Sequence, residues 1–295
     1  MPGIEFAGVF DTNSGQAQKL AQEHGVAAIH SFDELTANID AAVVATPTIT
    51  HEAVTSELLH AGIDVLVEKP IADSSAAGER LTRLASERGR ILQVGHLERF
   101  NPAVIALEKA VTIPLFFEVH RMSVFTPRSL DVDVVLDLMI HDLDIVLSLT
   151  KAMPDEIRAA GISVLSKKVD IANVRLSFPS GCVANLTASR VSTERVRKLR
   201  LFQPSEYISL DYQRQDATRV AVNALSQIAF EQLAVSAGEP LKLELEDFVI
   251  SVRERRAPRV DGAQATRALR LAEGILDKIK EHAGLVAQTL QHRGP

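Results

Sequence analysis

The sequence predicts two domains of different grammar. Residues 1–113 read as a doubly wound, Rossmann-type parallel α/β sheet that lacks its first strand, and residues 114–295 as an α+β domain with an open, largely antiparallel sheet. Three observations lead there. Short apolar runs alternate with helical segments through the first hundred residues, the pattern of a parallel sheet covered on both faces. After a strand and one long helix past Pro114, long β-rich runs succeed one another without helices between them, which makes them antiparallel neighbours joined by short turns. No GxGxxG stretch occurs anywhere in the 295 residues, although such a turn normally opens a dinucleotide-binding sheet.

Ile4 to Phe10 reads as a strand and residues 14–24 as a helix, with Gly25 where a helix ends on a left-handed residue. Ala41 to Ala45 is a short apolar strand, and Thr50 to His60 a helix ended by Gly62. Asp64 to Glu68 is a strand, Ser74 to Arg88 a helix, and Ile91 to Gly95 a further strand. Past Pro114, Leu115 to Arg121 reads as a strand and Val132 to Leu149 as one long helix. β-rich runs follow at 156–165, 169–178, 181–190, 196–202 and 206–212, with Pro179-Ser180-Gly181 marking one turn. Helices return near 241–256 and 263–283.

A hydrophobic content of 46% over this length is enough for a large core. The net charge of −6, from 32 basic and 38 acidic side chains, supplies no general attraction to nucleic acid or an anionic membrane. Trp is absent and Tyr occurs twice, which argues against base stacking on single strands. No apolar run approaches the roughly 20 residues that span a bilayer. The one cysteine, Cys182, permits neither an internal disulfide nor a Cys-based zinc site. A reducing, cytoplasmic setting is the expectation.

Val9-Phe10-Asp11-Thr12-Asn13 looks like the end of a second Rossmann strand, with Asp11 where an acidic residue holds the adenosine ribose. A carboxylate there accepts hydrogen bonds from the 2′-OH and repels a 2′-phosphate, favouring NAD over NADP. Asp at a strand end also forms turns and caps helices, and both readings stay open. In the strand order 3-2-1-4-5-6 the first strand lies mid-sheet, so its loss leaves a gap of about 9–10 Å flanked by unpaired backbone. The expectation is that the natural polypeptide begins roughly 25–35 residues upstream, about one strand–turn–helix piece.

Glu68-Lys69-Pro70 closes a strand, and ligands of doubly wound sheets sit beyond the carboxyl ends of strands. Lys69 there can hydrogen-bond a substrate hydroxyl and stabilise an alkoxide; a solvated loop lysine is the plain alternative. Asp137 and His141 are four apart on the long helix and share a face. A carboxylate one turn from an imidazole orients it and raises its basicity, as a general base requires. A surface Asp–His pair or two ligands of a metal site are the alternatives. Asp144 and Ser148 extend that polar stripe beside apolar Val134, Leu138, Ile145 and Leu149. Thr46-Pro47-Thr48-Ile49-Thr50-His51 and His96 also follow strands. The Thr46-Pro47 turn can line the nicotinamide ribose, and Thr48 or Thr50 can cap the next helix.

These pieces in this order resemble the family of glucose–fructose oxidoreductase and inositol dehydrogenase. The matching features are Asp11, the Thr46-Pro47 turn with His51, Glu68-Lys69-Pro70, Gly95 to Pro102 with Arg99-Phe100, and Asp137 with His141. The resemblance implies NAD as cofactor, with Asp11, Thr46, Pro47, His51, Glu68, Lys69 and His96 around it. It implies Lys69, Asp137 and His141 as the catalytic group, His141 being the base and Lys69 polarising the reacting oxygen. Those three, with Arg99 and Arg190, are the expected substrate contacts, and no metal is implied.

Gly95 to Pro102, Val134 to Asp144 and Ser189 to Lys198 further resemble the UDP-N-acetylglucosamine 3-dehydrogenase branch of that family. That implies a 3-keto sugar nucleotide product, handed to an aminotransferase for lipid A diamino-sugar synthesis. Arg190, Arg195, Arg197, Lys198 and Arg200 can meet a diphosphate, or can be charges that protect a sheet edge. The competing expectations are a free-sugar or inositol dehydrogenase, and a cofactor-impaired binding or regulatory protein of the same fold. An open sheet with one uncovered face points to a homo-oligomer.

Overall fold

The computed structural model describes residues 1, 3–126, 132–222 and 226–292. They form two compact units, Met1–Gly95 with Leu245–Gly262, and His96–Glu244 with Ala263–Pro295. The division thus falls at residue 95, not near 113, and a late segment returns to the first unit. Residues 96–113 go with the second because their apolar side chains, Phe100, Val104 and Leu107 among them, are buried there.

The first unit alternates β1 (Gly8–Phe10), α1 (Ser14–His24), β2 (Ala27–Ile29), α2 (Phe32–Ala37), β3 (Ala41–Val44), α3 (His51–His60), β4 (Asp64–Glu68), α4 (Ser75–Arg88) and β5 (Leu92–Gly95). Side chains of Asn13, Ser31 and Ser74 accept amides at the starts of α1, α2 and α4. Gly25 and Gly89, at φ 66° and 59°, end α1 and α4 in the left-handed region. Leu58 and Leu59 of α3, Val65 to Val67 of β4, and Ala77 and Leu81 of α4 build the core.

All of these strands pair in parallel, but in two sheets: β1 with β2, and β3-β4-β5. Among the described residues no strand pairs β1 with β3, and Val43 of β3 and Phe10 of β1 are exposed, at 52% and 36%. The opposite edge, β5, is extended by the returning segment. Val94 donates to the Val260 carbonyl (3.0 Å), and Gln93 bridges antiparallel to Asp261. Arg255 clamps the Asp64 carboxylate and the Gly89 carbonyl, both at 2.6 Å.

The second unit contains α5 (Pro102–Ala110), β6 (Phe116–Val124), a π turn (Val135–Met139) running into α6 (Ile140–Thr150), and β7 (Glu156–Ile162). There follow β8 (Ile171–Ser177), β9 (Val183–Ser192), β10 (Val196–Gln203), β11 (Glu206–Asp211), β12 (Asp216–Val222) and β13 (Ile228–Gln232). Helices α7 (Pro240–Glu254) and α8 (Gly262–His292) close the chain. The sheet order is β13-β12-β11-β10-β6-β9-β8-β7, antiparallel except for the β6–β9 pair. That parallel pair is possible because α6 lies in the long connection between its strands.

Three expectations change. The long helix opens as a π turn rather than an α-helix from 132, and β10 is interior, so its basic residues do not guard an edge. β2, α2, α5, β12 and β13 had no counterpart in the sequence reading. Cys182 is buried, and burial pushes its thiol up to about 11. Among the described residues no helix is long and apolar enough to cross a membrane.

The β7–β8 loop closes on Asp170. One carboxylate oxygen accepts the amides of Val164, Leu165 and Ser166 at 2.7–2.9 Å, and the other the Ser166 hydroxyl at 2.6 Å. Burial opposes the charge, but these donors outweigh it and hold the pKa at about 2, below the ordinary 3.8. The stabilisation is therefore present above pH 3.8 and lost as pH falls toward about 2. Asp170→Asn is expected to cost about 1–3 kcal/mol at neutral pH. Its deficit against the parent chain in thermal unfolding should shrink across that acid window.

Candidate active site

In the first unit the ends of β1, β3 and β4 carry expected residues. After β1, Asp11 accepts the Asn13 amide (2.7 Å), so its turn-forming role is realised. After β3, the Thr46-Pro47 turn is locked by Thr50, whose hydroxyl donates to the Pro47 carbonyl (2.8 Å) and lies 2.9 Å from Thr46 Oγ1, within reach of that hydroxyl's proton. Thr50 makes no side-chain cap on α3, since its hydroxyl is turned back into the turn.

His51, 1% exposed, joins this turn to the one after β4. Its Nε2 lies 2.8 Å from the Thr46 carbonyl and its Nδ1 2.8 Å from the Pro70 carbonyl. A neutral imidazole donates through one of these nitrogens and presents a lone pair at the other. His51 is thus a strut between two turns, with both ring nitrogens facing the protein. Lys69 is half-buried and follows β4, and the Lys69–Pro70 peptide is cis. Glu68 pairs with Gly95 across β4 and β5. A Cβ on Gly95 would meet the Glu68 carboxylate at 2.9 Å and its Cα at 3.2 Å, so bare backbone at 95 is what lets Glu68 lie there.

In the second unit His96 and His141 meet. Their rings stand edge to face, centroids 6.1 Å apart at 83°. His96 is buried ahead of the short turn Leu97–Phe100, and His141 lies in the first turn of α6. Asp137 sits inside the π turn, where the Ile140 amide reaches back to the Val135 carbonyl. Such wide turns recur at functional sites. Among the described residues no third His, Cys, Asp or Glu completes a metal-like cluster with them.

The helix is not polar on an open side. Asp142 and Asp144 are both buried. Arg121 of β6 grips Asp142 with two bonds, Nε to Oδ2 at 2.6 Å and Nη2 to Oδ1 at 2.9 Å. Its Nη1 donates to Glu98 at 2.9 Å, and its Cζ lies 4.9 Å from the Tyr212 ring centre. Asn101 donates to Glu98 (3.2 Å) and to the Tyr212 carbonyl (3.0 Å). Burial works against the Arg121 charge, yet Asp142 and Glu98 prevail and its pKa is raised. Burial, then the Asp142 charge, lift the Tyr212 phenol well above its ordinary value. Burial and the neighbouring Arg121 charge lower Arg197, whose Nη1 stands 3.9 Å from Glu98.

Arg99 and Arg190, expected on the substrate, lie almost fully buried. Arg99 donates to Glu108 (3.2 Å) and Asp144 (3.4 Å). Arg190 donates to the carbonyls of Val132 and Val169 and pairs with Asp170 at 3.7 Å. Both fasten the ends of the segment that carries Asp137 and His141. Sequence reasoning missed Glu98, Arg121 and Asp142. The Asp142 signal was available, since an acid beside His141 breaks the apolar face of the helix, but its partner is remote in sequence.

Polar groups after the strands of a Rossmann-type unit lie where this fold binds dinucleotides. The comparisons agree. Residues 1–96 match the oxidoreductase family with an NAD-binding Rossmann fold, and residues 114–203 the GFO/IDH/MocA C-terminal domain. UDP-N-acetylglucosamine 3-dehydrogenase of Acidithiobacillus ferrooxidans is 37% identical over 91% of this chain and 88% of its own length. Its solved structure superimposes with a TM-score of 0.89, covering 94% of this chain and 90% of that one at 36% identity. scyllo-Inositol 2-dehydrogenase (NAD(+)) of Bacillus subtilis is 25% identical over 90% and 84% of the two lengths. The chain belongs to the glucose–fructose oxidoreductase/inositol dehydrogenase (GFO/IDH/MocA) family and is an NAD-binding oxidoreductase.

Gly95→Ala is expected to cost about 1 kcal/mol, the low end for overpacking, and to displace the Glu68 carboxylate. Thermal unfolding and a crystal structure of the variant check both; an unmoved Glu68 at parental stability would contradict the close-packing account.

Proposed function

We propose that this protein oxidises a secondary hydroxyl of a sugar nucleotide with NAD, the substrate being UDP-N-acetylglucosamine and the carbon C3. The observation that carries the reading is the match along nine-tenths of the chain to a UDP-N-acetylglucosamine 3-dehydrogenase. The residues present suit the ribose and nicotinamide portions of NAD. They are a carboxylate after β1, hydroxyl and carbonyl groups in the Thr46-Pro47 turn, and Lys69 after β4. NAD, when bound, supplies the hydride acceptor.

The protein supplies proton handling and charge. His141 accepts the proton of the reacting hydroxyl, with Asp137 one turn earlier orienting the ring. Lys69 donates to the same oxygen and stabilises its developing negative charge. Arg195 is a basic residue of the β9–β10 region that suits a diphosphate, since Arg190, Arg197 and Arg200 are paired with Asp170, Glu98 and Glu118. The 3-keto product suits an aminotransferase that installs a nitrogen for lipid A diamino-sugar synthesis. A single buried cysteine suits a reducing, cytoplasmic setting.

The same reading includes a homo-oligomer, supported by one face of the large sheet. Arg121 of β6 points to α6, so Phe116, Glu118 and His120 lie on the opposite face. On that face the strand register lines up Phe230, Val220, Tyr207, Phe202, Phe116 and Val183 in one row across β13 to β9. Phe230 is 72% exposed. An apolar row of this extent, bordered by Arg200 and Glu118, suits a second copy of the chain. Phe230→Lys should shift light scattering of the purified protein toward a smaller species, and an unchanged mass would count against this face.

The functional test is direct. The protein is mixed with NAD and UDP-N-acetylglucosamine, and absorbance of the reduced cofactor is followed. Lys69→Ala and His141→Ala should each lower turnover by at least about a hundredfold, the scale of general-base loss. Turnover of inositol or a free sugar instead would move the substrate assignment. Absence of turnover with all of them would favour a binding protein.

A further inference from the structure

We infer that Arg121 is the positioning residue for His141, because its one guanidinium bonds a carboxylate on each of the two elements that carry the contacting imidazoles. The inference rests on the reading of His141 as the proton acceptor. Glu98 lies two residues after His96 in the Leu97–Phe100 turn, and Asp142 directly follows His141 in α6. Arg121 reaches both, Glu98 at 2.9 Å and Asp142 at 2.6 and 2.9 Å. The His96 and His141 rings then meet edge to face. One planar group thus sets the spacing of two ring-bearing segments.

The geometry also sets rotation. Neighbouring residues on an α-helix leave the axis about 100° apart, so holding Asp142 fixes the direction in which His141 points. A two-pronged guanidinium–carboxylate bond fixes orientation as well as distance. The Tyr212 ring covers the guanidinium, and Asn101 holds the second Glu98 oxygen, so the carboxylates have little freedom to swing. A lysine at 121 would keep the charge and lose the fork, being a point charge on a flexible stem. Burial alone does not explain the arrangement, because well-packed apolar side chains serve stability as well as a buried ion pair does.

The test separates this from general damage. Arg121→Lys, and as a second variant Asp142→Asn, which keeps an acceptor oxygen, are compared with the parent full-length chain. Ring 1H–15N correlations of His96 and His141, assigned through His96→Gln and His141→Gln, should shift in the folded variants. Turnover should fall about 10- to 100-fold, the scale for a misplacement of roughly 1 Å, with KM for NAD and for the sugar nucleotide changing far less. In the His141→Ala background Arg121→Lys should add no further loss, since a residue acting through another is not additive with it. Unmoved ring signals, or additive losses, overturn the inference. Moved ring signals in a parent chain that oxidises no sugar nucleotide support the clamp and remove the dehydrogenase reading instead.

Discussion

A guanidinium enters a protein interior only with its counter-charges, and that constraint organises the second unit. Arg121 leaves β6 toward the covered face of the sheet, where water cannot satisfy it. Asp142 from α6 and Glu98 from the turn before α5 must therefore converge on it, and Tyr212 closes the cage from just beyond β11. Removing one partner of such a group leaves an uncompensated buried charge, which costs about 3–5 kcal/mol. Arg99 with Asp144, and Arg190 with Asp170, repeat the arrangement on a smaller scale. The second unit thus holds α6 by charge at two points, Asp142 and Asp144.

The first unit uses another device. Its chemistry sits at strand ends, and the turns there are held by backbone carbonyls that side chains reach. His51 spans two of them, and Thr50 closes the nearer one. Gly95 does the same by omission, since the missing side chain leaves room for Glu68. These are short-range arrangements, each needing only a strand end and the start of the next helix. Such turns suit a fold in which ligand contacts come from the backbone as much as from side chains.

That contrast explains what the sequence made legible. Period and punctuation gave away most elements of the first unit, because Gly25 and Ser74 mark helix ends by local chemistry, whereas the short β2 and α2 carried too few residues to show a period. The Lys69, Asp137 and His141 motifs stood out by position. Arg121, Glu98 and Asp142 did not, because their association depends on pairing across 44 residues, and no spacing rule brings those elements together. β12 and β13 escaped notice because an exposed antiparallel edge carries too little apolar alternation to be told from loop. The π turn was invisible for a similar reason, as the sequence of Val135–Met139 suits an ordinary helix.

Cys182 has a practical consequence. The thiolate is the reactive form, and a thiol held at about 11 in a buried strand end carries almost none of it at neutral pH. The native chain is therefore nearly silent toward maleimide dyes and spin labels. A cysteine introduced beside Thr46 can be tagged selectively without first removing the one already there.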